Sequence, residues 1–154
     1  MRYFFIALAL VLSENAWTAD DASHRLTIGT VAAEIDRSNG GCSLQLPRGF
    51  ANREGNYVFV SDFEGQALMN VDGVDTHLAF LKSKGQDVKQ RGQLGEHSTY
   101  WYAGDGIEVE VDYVATGGCP AGNDSCKITH YDAILTVKHG KAHKTVAAKG
   151  VCGV

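Results

Sequence analysis

Ile107-Glu108-Val109-Glu110-Val111-Asp112-Tyr113-Val114 is the stretch whose reading decides the fold. Ile107, Val109, Val111 and Tyr113 share one side of an extended chain, while Glu108, Glu110 and Asp112 share the other. A period of two, apolar against acidic, predicts a strand with one face on a core and one in water. Just upstream stands Tyr100-Trp101-Tyr102-Ala103-Gly104-Asp105-Gly106. Aromatic residues suit strands, and Asp-Gly is a strong hairpin-turn dipeptide.

The same signals recur outward from this hairpin. Asp72-Gly73 centres a second one, with arms Gln66 to Val71 and Val74 to Leu81. A third pairs Tyr131 to Lys138 with Lys144 to Val151 around His139-Gly140-Lys141. Asn56 to Ser61 and Cys42 to Leu46 read as further strands. Arg25 to Ile35 is ambiguous: Val31-Ala32-Ala33-Glu34-Ile35 suits a helix, and Thr27, Ile28, Thr30 and Val31 suit a strand. About eight or nine short strands with turn signals between them predict a single all-β domain, an antiparallel β-barrel or β-sandwich. Eighteen glycines against two prolines fit many tight turns and few rigid linkers.

Residues 1–19 have a different composition. Arg2 precedes the apolar run Tyr3 to Leu12, and polar Ser13-Glu14-Asn15 leads to Ala16-Trp17-Thr18-Ala19. This is the layout of a secretory signal peptide. The run is too short to cross a bilayer core of about 30 Å, which takes roughly 20 helical residues. We expect cleavage after Ala19, with Ala16 and Ala22 as alternatives, and a mature domain over 20–154. The first cysteine is Cys42, so a lipid anchor at a mature amino-terminal cysteine is not expected. No second long apolar segment follows, and the mature chain should be soluble, in the periplasm or secreted.

The net charge of −4 argues against nucleic acid as the main partner. Charge is uneven along the chain. Lys127 to Val154 holds five lysines against the single acid Asp132, and the acids concentrate before it. Basic C-terminal strands beside acidic neighbours in one sheet account for this.

The four cysteines are Cys42, Cys119, Cys126 and Cys152. Cys119 and Cys126 bracket Pro120-Ala121-Gly122-Asn123-Asp124-Ser125, a segment of turn formers whose ends meet easily. Cys42 and Cys152 are then left to tie the start of the fold to its last strand. Export favours oxidation, and no cysteine pair has the two-to-four-residue spacing of zinc ligands. Two disulfides, Cys42–Cys152 and Cys119–Cys126, are therefore expected.

Chemistry-bearing motifs are few. His139 and His143 lie across the last hairpin turn and are the one ligand pair for a transition metal, but Lys138, Lys141 and Lys144 would repel a cation. His77, His97 and His130 are scattered. Glu108, Glu110 and Asp112 read as the wet face of a sheet. Asp62-Phe63-Glu64-Gly65 and Asp72-Gly73-Val74-Asp75 are acidic turns without the ligand spacing of a calcium loop. There is no Gly-x-Ser-x-Gly elbow, phosphate-binding glycine loop or His-Glu-x-x-His helix. No cofactor is implied. His97-Ser98 beside Tyr100 is the nearest approach to a hydrolase cluster.

The binding candidates are Tyr100, Trp101 and Tyr102, and the Cys119–Cys126 loop with Asn123 and Asp124. On a strand Trp101 faces one way and both tyrosines the other; one side is core, and tyrosines outside would make a contact surface, Trp101 outside an anchor, unless sheet and loop bury both faces. Asn123-Asp124-Ser125 also matches an N-glycosylation acceptor, read here as a chance match.

Export, small size, a β fold and two disulfides resemble the small periplasmic lysozyme-inhibitor type of protein and other exported bacterial β-proteins. The resemblance is architectural. Ser98-Thr99-Tyr100 lacks the glycine that follows the serine in the serine-glycine-x-x-tyrosine motif of the membrane-bound inhibitors, so no site residue carries over. The sequence thus predicts an exported, non-enzymatic β-domain that binds a protein or envelope component. The alternatives are a small-ligand-binding barrel, a secreted metal-binding protein or a small hydrolase.

Overall fold

A computed structural model describes residues 25–47, 55–90, 92–119 and 125–153. The expected signal peptide, Asn123 and Asp124 lie outside the described residues. The chain forms nine strands: β1 (Ile28–Gly29), β2 (Gly41–Gln45), β3 (Tyr57–Asp62), β4 (Gln66–Val71), β5 (Val74–Gly85), β6 (His97–Gly104), β7 (Ile107–Gly118), β8 (Ile128–His139) and β9 (Ala142–Gly153). β2 to β9 each pair antiparallel with the next in sequence, and β9 returns to pair with β2. The result is a closed eight-stranded up-and-down barrel. β1 is the extra strand: it joins β4 at Val71 and Asn70, beyond the reach of β3, which pairs β4 only at Ala67 to Met69.

The turn chemistry explains three of the corners. Asp72-Gly73 and Asp105-Gly106 both hold positive φ at each residue, 53° and 83°, then 48° and 76°. Positive φ at both central positions is what a type I′ hairpin requires, and its twist matches that of the strands. Gly140, at φ 59°, opens the β8–β9 turn. These three tight turns lie at one end of the barrel. The turn 63–65 and the loop 86–96 lie at the other, which we call the mouth.

Closure joins the first and last barrel strands. Cys42 and Cys152 are direct cross-strand partners in the β2–β9 pair and form a disulfide. Two places along, Gly150 lies opposite Leu44, and a Cβ there would stand 1.9 Å from the Ser43 carbonyl oxygen. Only glycine lets the strands meet so closely. Cys119–Cys126 forms the second disulfide, between the end of β7 and the start of β8.

Side chains fill the interior. Ile107, Val109, Val111, Tyr113 and Ala115 of β7 are buried, as are Tyr131, Ala133, Leu135 and Val137 of β8. An aromatic column runs through the barrel: Phe59 meets Tyr102, Tyr102 stacks on Tyr100, Tyr100 meets Tyr113 and Tyr113 meets Tyr131, with centroids 5.3–6.4 Å apart. These are the separations at which ring quadrupoles attract. Within the column the Tyr113 hydroxyl is buried without a hydrogen-bond partner among the described residues.

The ambiguous segment 25–35 is neither a helix nor a full strand. Leu26 closes the hairpin end of the barrel, where Lys144 Nζ donates to its carbonyl at 3.0 Å. The chain then passes outside the wall. Val31 packs on Val60 and Leu68, with Ile35 and Tyr57 beside them, and forms a second, smaller core. Carboxylates pin this roof. Asp72 accepts from the Thr27 amide and hydroxyl, and Asp75 accepts from the Ala32 and Ala33 amides at 2.8 and 2.6 Å. The hydrogen bond from Asn70 and those two amides hold the Asp75 carboxyl below its usual value. Arg37 donates to Ser43 and lies over the Tyr57 ring, which fixes the far end of the roof. Among the described residues no helix is long and apolar enough to cross a membrane.

Candidate functional site at the barrel mouth

The mouth cleft arises because β5 outruns β4. Pairing between them starts at Gln66↔Ala79, and beyond Ala79 β5 continues to Gly85 against β6 alone. A bulge between Phe80 and Lys82 marks the departure. Bulges re-aim side chains where a ladder ends. Here Phe80 is left 40 % exposed over the opening.

Two turns flank the gap. In the β3–β4 turn, Asp62 Oδ1 accepts from the amides of Glu64, Gly65 and Gln66 at 2.9, 2.7 and 2.7 Å. This is the local carboxylate-to-backbone bonding that favours aspartate in turns. On the other side, the loop 86–96 folds back over the barrel. Its Val88 is buried, and the Val88 amide donates to the Tyr100 hydroxyl oxygen at 3.0 Å. The Tyr100 hydroxyl donates to Asp87 Oδ1 at 2.9 Å, and that oxygen also accepts from the Lys89 amide at 3.0 Å.

Between these turns lies a cleft of about 170 Å³. Phe63, Phe80, Tyr100 and Tyr102 provide its aromatic surface, and Asp62, Glu64, Asp87 and Lys89 its charges. Burial pushes the Tyr100 phenol far above its ordinary value and that of Tyr102 up to about 12. Both phenols are therefore neutral at physiological pH. A volume of this size holds one ring or a compact branched group.

The structure divides the aromatic triplet. Tyr100 and Tyr102 point into the barrel and Trp101 lies on the outer wall, so the tyrosines are core and mouth residues and not an outer contact surface. A sequence signal for this exists. A two-residue turn at Asp105-Gly106 sets Gly104 opposite Ile107, and counting back sets Tyr102 opposite Val109 and Tyr100 opposite Val111. The tyrosines thus share the apolar face of β7. Phe80, Phe63 and Asp87 carried no comparable signal.

Outside, the Trp101 indole N–H donates to Glu110 Oε2 at 2.6 Å, and Lys82 Nζ stands 4.6 Å from the ring centroid. Thr99 donates to Asp112 at 2.6 Å, and Glu108 lies opposite Lys138 in register. Glu110 and Asp112 are thus engaged within the wall itself. A shallow groove of about 270 Å³ crosses this wall beside Leu81, which is 59 % exposed.

The histidine pair does not converge. His143 faces Lys138 across the hairpin and His139 faces Ala142, so the two imidazoles lie on opposite faces of the sheet. Among the described residues no three His, Cys, Asp or Glu side chains group as metal ligands. His97 and Ser98 are neighbours on a strand and so project to opposite faces.

The chain has no match among protein-family models, curated proteins or solved structures.

Proposed function

We propose that this chain is an exported, non-catalytic binding domain that takes a small organic ligand at the mouth of its barrel. The observation that carries the reading is the gap where β5 leaves β4, with four aromatic side chains around a concave opening. Small-molecule sites are concave and mostly apolar, with a few placed polar groups, and barrel mouths are a recurrent place for them. An eight-stranded barrel has room inside for packed side chains or one small ligand. This interior is packed, which favours the rim as the binding volume. Both disulfides are closed, which supports the oxidising compartment expected from residues 1–19.

A second reading has its own observation. Trp101 stands on the outer wall with exposed Leu81 and Lys82 beside it, the composition of a contact site for a protein or envelope component. Tests of the two readings separate cleanly. Amide resonances of mature protein are followed while a library of small fragments is titrated in. Shifts that converge on Phe80, Ser83 and Tyr100 support the mouth. Shifts confined to Trp101, Glu110 and Thr136 favour the outer wall and reject it.

A further inference from the structure

We infer that the mouth cleft selects a small organic cation of the alkylammonium class. This rests on the mouth being the binding site, and goes further by naming the ligand's charge. Three carboxylates line the cleft, Asp62, Glu64 and Asp87, against one ammonium, Lys89. Among the described residues the ion pair is Lys149 with Asp132, far along the chain, so none of the three is neutralised by a described cation. An anionic ligand would meet this excess of negative charge. A neutral ligand would have no use for it.

The carboxylates also discriminate between kinds of cation. Asp62 Oδ1 is engaged by three backbone amides, and Asp87 Oδ1 by Tyr100 and the Lys89 amide. Glu64 Oε1 accepts from the Asn39 amide at 2.5 Å. Asp62 and Asp87 are tethered to their own turns and Glu64 to the Asn39 side chain of another segment, and the three do not group as a metal cage. A metal ion needs several converging oxygens at short range. An alkylammonium needs ring faces and a negative field at longer range. Phe80 stands 5.9 Å from both Tyr100 and Tyr102, at interplanar angles of 51° and 70°. These are ring-contact distances, so the two buried tyrosines back Phe80, whose exposed ring is the surface open to an ammonium, and a cleft of about 170 Å³ admits a methylated head of choline's size beside it.

The test uses choline, its neutral isostere 3,3-dimethylbutanol and the anion 3,3-dimethylbutyrate, titrated into mature protein with amide resonances recorded. Choline should perturb Phe80, Ser83 and Tyr100 and bind about fivefold or more tightly than the alcohol, the anion weakest. Two exposed charges give a readout that shape alone would not move. Glu64→Gln should weaken choline and Lys89→Gln should strengthen it, each by about two- to fivefold, with little change for the alcohol. Phe80→Leu, which keeps volume but removes the ring face, should lower the choline preference while thermal unfolding stays cooperative. Equal or tighter binding of the alcohol or the anion at the mouth overturns the charge assignment and leaves the mouth as a site. Absence of any mouth perturbation up to about 50 mM of all three, well beyond ordinary ligand affinities, overturns both.

Discussion

Along β7, buried and more exposed residues alternate from Ile107 to Ala115, whereas along β4 Ala67, Leu68, Met69, Asn70 and Val71 are all buried. Both strands belong to one barrel and each turns one face inward. They differ in what lies outside. β7 meets solvent with Glu108, Glu110 and Asp112, while β4 and β3 lie under the roof formed by Val31 and Ile35. The two walls show that a strand's pattern reports how many of its faces are covered, and not whether it is a strand. The roofed side is held by the disulfide at the β2–β9 closure and by two aspartates. The open side is held by its own cross-strand ladder.

The largest expected effect separates the two disulfides. By chain entropy, a bridge across the separation of 110 residues from Cys42 to Cys152 stabilises by about 5 kcal/mol, against about 2.5 for the short Cys119–Cys126 loop. Cys42→Ser with Cys152→Ser should therefore cost about twice what Cys119→Ser with Cys126→Ser costs, measured by urea unfolding. Equal losses would mean that the roofed wall closes without its bridge.

Leu68 and Ile134 both face outward, one under the roof and the other 43 % exposed. Leu68→Ala should lose about 2–5 kcal/mol because it empties a packed site. Ile134→Ala should lose about 1 kcal/mol or less. A large loss at Ile134 would reveal a cover on the open wall as well.

Alkali probes the column that both walls share. Tyr102 releases its proton near pH 10 when unfolded and near pH 12 in the barrel. The folded form holds the proton more tightly, so stability is intact below pH 10 and falls as pH rises towards about 12. Phenolate absorbance should appear together with loss of the β circular dichroism signal. Tyr113→Phe removes a buried hydroxyl that lacks a partner, and should be neutral or stabilising by up to about 1 kcal/mol at pH 7. Phenolate absorbance well below the unfolding transition would place the tyrosines nearer solvent than the barrel does.

Acid probes the roof. The Asp75 carboxyl titrates below 3.8 in the folded chain, so its contribution is present above that value and disappears as pH falls through the lowered one. Asp75→Ala should cost about 1 kcal/mol at neutral pH, with amide exchange accelerated at Ala32 and Ala33. Protection unchanged at those amides would show that Val31 alone holds the roof.

The legible part of the fold is the open wall. Period-two patterning from Ile107 to Val114 falls within β7, and both Asp-Gly turns take the backbone expected; the first of them also fixes Gln66 to Val71 of the roofed wall as β4 residue for residue. The roof was not legible. Val31 and Ile35 stand at helical spacing, yet their segment forms no helix, because much of its backbone bonding goes to Asp72 and Asp75. The choice between barrel and sandwich needed the β4–β5 and β2–β9 pairs together, and no local pattern encodes closure. At the mouth, Tyr100 and Tyr102 stood out as candidate residues, but their direction required the hairpin register. Phe80 escaped notice because its exposure follows from a bulge, which has no residue signature here.

The cross-strand disulfide at the end of the barrel meander has a further consequence. With Cys42 joined to Cys152, the 111 residues they span form a covalent ring closed at the point where the strands meet. Any single peptide bond broken within that ring opens it into a line and releases nothing. A protease that cuts at Gly140-Lys141, or in the loop 86–96, leaves one molecule of unchanged mass apart from an added water. Only reduction would then let the pieces part. Release of a fragment from the ring therefore takes two cuts, or one cut and a reductant.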